Sequence, residues 1–329
     1  MLFLTDRGER QQKWSLQAAP PALEVIMRRR PSAEELRHYC LKCSSSSPSD
    51  LEPVTASMIA AAPQLKMILR LGSLLYDIDV QAAEQAGVRV VSQPVISTIY
   101  CAEHAMMMIL ALVKKLGRGL QAAMTADHGL PAKRTDEDTF SFNWLGFNDI
   151  GGLIGKTVAI LGMGEIGVEL ARRLIAFRPA GVLYNKRQPY PAQVERELAV
   201  SYADVETCAR RADVLVSLLP YSTATDRRVN ADVFALMKAT ALVVHLGSGS
   251  VIDEQALASA LREHRLAGAA LDTYEYEPLQ PDNPLVPLAR DPNANVLLTP
   301  HTAAATLRPD RSGDYQPILD YLAMQGSLH

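Results

Sequence analysis

Gly162-Met163-Gly164-Glu165-Ile166-Gly167 has the residue types and spacing with which a chain can cradle a pyrophosphate. The run ahead of it, Val158 to Leu161, is continuously apolar, as a strand buried on both faces requires. Behind it, Leu170, Leu174, Ile175 and Phe177 recur at helical spacing. In such a strand–turn–helix, Gly162 makes the tight turn, Gly164 lets the phosphates approach the backbone, and Gly167 lets helix and strand pack closely. The helix N-terminus adds free N–H groups and a partial positive charge. Glycines at these intervals alone are weak evidence, and the flanking strand and helix supply the context that makes them a dinucleotide site. Met163, Glu165 and Ile166 are expected to line it with the three glycines.

The next strand end bears on which dinucleotide is bound. An acidic residue there accepts the ribose hydroxyls of NAD. This chain reads "LYNKRQ", with Asn185, Lys186 and Arg187. A carboxylate would repel a 2′-phosphate, whereas two cations attract one, so the expectation is NADP(H) over NAD(H). Two solvated charges at a strand end are the structural alternative. Glu165 weighs against the reading, since its charge sits beside the pyrophosphate.

Other polar groups gather at strand ends. "AGAALDTYEYEPL" closes a strand with Asp272 and then carries Glu275 and Glu277. "NVLLTPHTAAAT" places His301 after a strand and a proline, at the expected carboxyl edge of the sheet. Pro220, closing "DVLVSLLP", is expected against the cofactor. "VVHLGSGSVIDEQAL" passes from strand to helix through Gly247-Ser248-Gly249-Ser250, where a linker is out of place and active sites are built. On the helix "YCAEHAMMMILALVKK", Met106, Met107, Met108, Leu110 and Leu112 read as core, with Glu103 and His104 as polar contacts between domains.

The elements that must position these groups alternate short β-branched runs with amphipathic helices, which predicts parallel α/β sheets. Strands are predicted at 181–184, 213–220, 241–246, 267–272 and 295–300, after the one at 158–161. Upstream, "FLT", 23–27 and 65–72 read as a smaller α/β unit, with "CSSSSPSDLEP" (43–53) as a polar loop. Residues 120–152 carry little periodicity, yet hold Trp144 and Phe147, which must pack on something. A length of 329 residues suffices for two domains, and a net charge of −3 gives no reason to expect nucleic acid or an anionic membrane as partner. No apolar run approaches a span of about 20 residues, and the start lacks a basic leader, so a cytoplasmic location is expected. Of four cysteines, Cys40 and Cys43 have metal or redox spacing without a companion pair. Unpaired thiols and no metal are therefore expected.

Taken together, "LGMGEIG", "DEQAL", "LDTYEYEPL" and "LTPHTAAAT" resemble the D-isomer-specific 2-hydroxyacid dehydrogenases, strongly from about Leu65 to His301. The resemblance implies a Rossmann-type doubly wound domain, about 101–301, inserted into a smaller flavodoxin-like substrate domain made of 1–100 and 302–329. It implies an active site in the cleft between them and a dimerisation arm at about 120–152, hence a homodimer. His301 then exchanges a proton with the substrate oxygen and Glu277 orients it; a neighbouring carboxylate favours the protonated imidazole. Asp272 corresponds to the residue that binds the nicotinamide carboxamide.

Two departures concern the substrate. Where such enzymes carry Asn-Thr-Ala-Arg-Gly-Gly, this chain reads His245-Leu246-Gly247-Ser248-Gly249-Ser250, so Ser248 holds the position of the arginine that forks onto the substrate carboxylate. A serine hydroxyl donates one neutral hydrogen bond and cannot replace the fork. The loop Gly72-Ser73-Leu74 keeps the first glycine of a carboxylate-binding Gly-x-Gly and has Leu74 at the second. Three readings follow. The first is an NADP(H)-dependent oxidoreductase that uses His301 and Glu277 on a substrate whose carbonyl neighbour is uncharged or bulky, with Ser248, Ser250, His245 or Ser73 around it. The second is a 2-keto acid reductase whose charge comes from Arg70 or Arg308. Alternatively, the chain is a lyase or isomerase retaining its cofactor, or a non-catalytic dinucleotide-binding regulator.

Overall fold

The structure, a computed structural model, describes residues 2–5, 9–29, 45–47, 53–126, 128–305 and 312–325. Cys40, Cys43 and Arg308 lie outside the described residues. The chain divides into two compact units, Met1–Ile99 with Thr306–His329, and Tyr100–Ala305. The second crossing falls a few residues beyond the 301/302 boundary read from the sequence, because Thr302 and Ala303 are hydrogen-bonded to Asp272.

In the first unit, β1 (Leu2–Thr5), β2 (Ile26–Arg29), β3 (Ser45–Ser47), β4 (Met67–Leu71) and β5 (Arg89–Gln93) form one sheet in the order β2-β1-β3-β4-β5. All its pairings are parallel, and the order is flavodoxin-like. Every residue of β4 is buried, as its apolar composition demands. The serines of β3 correct the reading of 43–53 as a loop. A strand is defined by its backbone ladder, and here β1 and β4 supply partners on both sides without any apolar pattern in the sequence.

In the second unit, β6 (Thr157–Leu161), β7 (Gly181–Asn185), β8 (Val200–Tyr202), β9 (Val214–Ser217), β10 (Leu242–His245), β11 (Gly268–Leu271) and β12 (Val296–Leu298) lie in the order β12-β11-β10-β9-β6-β7-β8. All are parallel, with the strand order reversing beside β6 as in a doubly wound dinucleotide fold. Burial on both faces explains why β6, β9, β10 and β11 read as apolar runs. One face carries a core of Ala159, Leu161, Leu215, Val243, Ala269 and Leu271 under Phe234, Leu257 and Leu261. Because the strands run the same way, the residues after β6, β9, β10, β11 and β12 emerge along one edge, and that edge carries the candidate site.

The helix Ile96–Val113 has the length and apolar composition of a membrane span. Its Ala102, Ala105, Met106, Met108, Ile109, Ala111 and Leu112 are buried, which is the pattern of a core helix. Met107, read as core, is instead half exposed. Arg173 donates to Glu103, and His104 bonds Thr299, all within the second unit.

The irregular segment begins later than expected, because 116–125 is helical with none of its residues buried. From 126 to 152 there is neither helix nor strand among the described residues. Arg118 lies over the Phe147 ring at 3.9 Å and His128 against Trp144 at 4.5 Å, yet Met124, Phe140 and Phe142 stay largely exposed.

Arg70 sits within β4 and is 2% exposed. Its Nε donates to both oxygens of Asp77, at 3.0 and 3.3 Å, and its Nη1 donates to the Leu71 carbonyl at 2.6 Å. The guanidinium is thus spent on a buried carboxylate, which removes Arg70 as a source of charge for a substrate. Asp77→Ala should leave that charge buried and unpaired, at a cost of about 3–5 kcal/mol. Urea unfolding of the variant tests this, and an unchanged midpoint would show that the pair contributes nothing.

Candidate active site

The glycine turn is built as its spacing predicts. Gly162 has φ +96°, and a Cβ there would stand 2.7 Å from the Leu218 carbonyl carbon, so only glycine fits between β6 and β9. A Cβ at Gly167 would meet Met163 Sδ at 3.0 Å and the Gly162 carbonyl at 3.2 Å, which is the close helix–strand approach. Gly164 caps the helix Glu165–Ile175 without a side-chain bond, and nothing lies within 4 Å of a Cβ built on it. Open space before an uncapped helix N-terminus fits a pyrophosphate. Glu165 is the first residue of that helix, Ile166 follows it, and Met163 is buried beneath the turn.

Asn185 closes β7 against this turn. Its carbonyl accepts the amides of Gly162 and Met163, at 3.0 and 3.3 Å, and its side-chain amide donates to the Ala203 carbonyl at 2.8 Å. The Asn185 side chain is therefore held by the protein, and the cations beside it are Lys186 and the exposed Arg187. Lys186 Nζ stands 3.8 Å above the ring of Tyr190.

At the other end of the same edge, His301 and Glu277 meet. His301 Nδ1 lies 2.7 Å from Glu277 Oε2, and the Tyr274 amide donates to Glu277 Oε1 at 3.1 Å. A carboxylate only accepts, so Nδ1 is the donor and Nε2 is left for another partner. The imidazole is 57% exposed. Its backbone lies at φ +53°, a conformation costing a non-glycine residue on the order of 1 kcal/mol.

That conformation is held by Asp272, whose carboxylate is fully buried. Its Oδ1 accepts from Thr299 Oγ1 at 2.5 Å and from the Thr302 amide at 3.0 Å, while Oδ2 accepts from the Ala303 amide at 2.9 Å. His104 Nε2 reaches Thr299 Oγ1 at 3.1 Å. Tyr274 adds a second tie, its hydroxyl donating toward the carbonyls of Leu271 and Thr299. Asp272 is thus committed to the loop that presents His301.

The Gly247–Ser250 turn is no linker. A Cβ at Gly247 would stand 2.6 Å from the Leu219 carbonyl, and one at Gly249 only 1.7 Å from that of Tyr274. The turn is wedged between the loops after β9 and β11. Ser248 Oγ accepts the Tyr221 amide at 3.0 Å, and Thr273 Oγ1 donates to the Gly247 carbonyl at 2.7 Å. Pro220, exposed at the end of the β9 loop, accepts from Thr225 Oγ1. In the first unit, the Gly72 amide donates to the Gln93 carbonyl, Ser73 follows it, and Leu74 is 4% exposed.

Two further residues position the site without having been singled out from the sequence, Glu254 within "DEQAL" and Arg227 outside any motif. Glu254, on the helix Glu254–Arg262, accepts the Glu275 amide at 2.9 Å and Asn283 Nδ2 at 2.6 Å, which fixes the segment bearing Glu277. Burial pushes its carboxyl pKa up. Arg227 donates to Glu275 from a loop position at φ +46°. Among the described residues, no cluster of His, Cys, Asp and Glu could hold a metal ion.

A doubly wound sheet with a glycine turn and an imidazole–carboxylate couple on one edge defines a dinucleotide-binding enzyme fold. The description "D-isomer specific 2-hydroxyacid dehydrogenase, NAD binding domain" matches residues 106–303. The chain belongs to the D-isomer-specific 2-hydroxyacid dehydrogenase family, nicotinamide-dependent oxidoreductases of CH–OH groups. It is 33% identical over 86% of its length to a D-3-phosphoglycerate dehydrogenase of Archaeoglobus fulgidus, of which it spans half. It is 31% identical over 87% of its length to a glyoxylate reductase of Aeropyrum pernix, of which it spans 78%. The crystal structure of a glyoxylate reductase from Paecilomyes thermophila shares the fold, with TM-score 0.56 and 24% identity over 98% of this chain and 94% of that one.

His245, considered from the sequence as a neighbour of the substrate, is instead fully buried at the end of β10, in register with Ser217 and Leu271. Burial pushes its pKa down from 6.5 to about 4. As pH falls through that interval the unfolded chain binds the proton first, so stability is full above pH 6.5 and declines toward pH 4. The loss is on the order of 3 kcal/mol. His245→Asn should narrow the gap between urea midpoints at pH 7 and pH 4.5; an equal gap in both proteins would clear His245 of the acid sensitivity.

Proposed function

We propose that this chain is an NADP(H)-preferring oxidoreductase in which His301 and Glu277 are the acid–base couple and the substrate lacks a free carboxylate beside its carbonyl. The 2.7 Å bond between His301 and Glu277, on the edge that carries the glycine turn, supports the reading above all. Three strand spacings separate β6 from β11, about 14 Å, a distance that an extended dinucleotide bridges.

Gly162, Gly164 and Gly167 let the turn approach the pyrophosphate, Met163, Glu165 and Ile166 complete it, and Pro220 borders the cofactor from the β9 loop. When bound, the nicotinamide supplies or accepts the hydride. In reduction, His301 Nε2–H gives its proton to the carbonyl oxygen as the carbon gains hydride, and in oxidation it takes the hydroxyl proton. Glu277 holds the Nδ1–H and so fixes which nitrogen faces the substrate. Asp272 is assigned to the nicotinamide carboxamide and also acts at one remove, through the 299–303 loop.

Ser248 supports the atypical substrate. With its oxygen already accepting the Tyr221 amide, it has one proton to donate and no positive charge. Arg70 is paired to Asp77 and supplies no replacement. Gly72, Ser73 and Leu74 are assigned to the substrate side, which the first unit provides, while Tyr100–Ala305 binds the cofactor. The exposed Met124, Phe140 and Phe142 suit an arm that pairs with a second copy, giving a homodimer. A small-molecule substrate, no nucleic acid or membrane partner and a cytoplasmic location complete the proposal.

His301→Asn should lower kcat about 10²–10⁴-fold while the cofactor still binds. An unchanged rate removes His301 from the chemistry. Ser248→Arg combined with Leu74→Gly should raise kcat/KM on glyoxylate or pyruvate, and no gain from either change would defeat the lost-carboxylate reading.

A further inference from the structure

Resting on the NADP(H) reading, we infer that Tyr190 is the specificity-determining platform that aims Lys186 at the 2′-phosphate. Lys186 Nζ stands 3.8 Å from the centroid of the Tyr190 ring. An ammonium over a ring face is attracted by the ring quadrupole, which orders the lysine side chain at that point. The ring itself is only 7% exposed and is fixed at two points. Its hydroxyl donates to the Met163 carbonyl at 2.8 Å, inside the glycine turn, and the Tyr190 amide donates to Tyr184 Oη at 2.6 Å. Tyr184 lies on β7, one residue before Asn185, whose carbonyl accepts the Gly162 and Met163 amides.

The result is a closed circuit of contacts linking turn, strand end, ring and cation. A lysine on an exposed loop would otherwise spread over many rotamers and lose much of an anion's attraction to side-chain ordering. The ring removes that freedom before the cofactor arrives, which is how a side chain with no polar contact to the ligand can set selectivity. Arg187, next in sequence and exposed, adds charge without such a support.

The test measures dissociation constants of NADPH and NADH for the purified protein and for Lys186→Met, Tyr190→Leu and Tyr190→Phe. The wild type should prefer NADPH. Lys186→Met and Tyr190→Leu should each weaken NADPH about tenfold, with NADH changed less than about twofold. Tyr190→Phe, which keeps the ring, should retain most of the preference. Should Tyr190→Leu fail to fold, Tyr190→Met fills more of the same space and carries the same expectation. If Lys186→Met abolishes the preference and the ring-less variants keep it, the platform is refuted while the NADP(H) reading stands. Equal wild-type affinities overturn both.

Discussion

The candidate site depends on a buried carboxylate at the end of β11. Asp272 is shut off from solvent, and its carboxylate accepts from the Thr299 hydroxyl and the amides of Thr302 and Ala303, with His104 Nε2 3.5 Å away. Hydrogen bonds to a charged group contribute roughly 1.5–3 kcal/mol each, enough to offset the left-handed backbone that His301 adopts between them. The imidazole is thereby set at the sheet edge by backbone geometry, and Glu277 is left to orient its ring. The exposed side chain is set in place by a buried carboxylate that ties down the loop on both sides of it.

The same edge shows how close packing makes glycines obligatory. Gly162, Gly247 and Gly249 are each pressed against a carbonyl of a neighbouring loop. The loops after β6, β9, β10 and β11 interlock, and the dinucleotide turn and the Ser248 turn become parts of one surface. A serine in that turn is held by the Tyr221 amide, so its chemistry toward a ligand is one neutral donor. This is the physical basis for proposing a substrate other than a simple 2-keto acid.

Much of the architecture was legible in the sequence where burial on both faces forced apolar runs. β6, β9, β10 and β11 declared themselves in this way, and the strand–turn–helix context made the glycine spacing meaningful. β3 did not, because a serine run gains its strand character from the two ladders beside it. Arg70 looked available to a ligand because its partner Asp77 is found only when the loop after β4 folds back on the strand. Glu103 meets Arg173 and His104 meets Thr299, partners that lie 70 and 195 residues away and that no local spacing reveals.

By itself the sequence determined the residue types that can act, an imidazole, a carboxylate and a glycine turn, together with the alternation that makes parallel sheets. It also determined that position 248 carries a neutral serine, since no folding can give that side chain a charge. Only tertiary structure decided which polar groups remain free for chemistry, because that depends on partners distant in the chain. Asp272 holds the 299–303 loop, His245 is sealed in the core, and Lys186 rests on a ring whose hydroxyl is bonded to the glycine turn. Local spacing fixes the groups that could react; packing fixes what each of them touches.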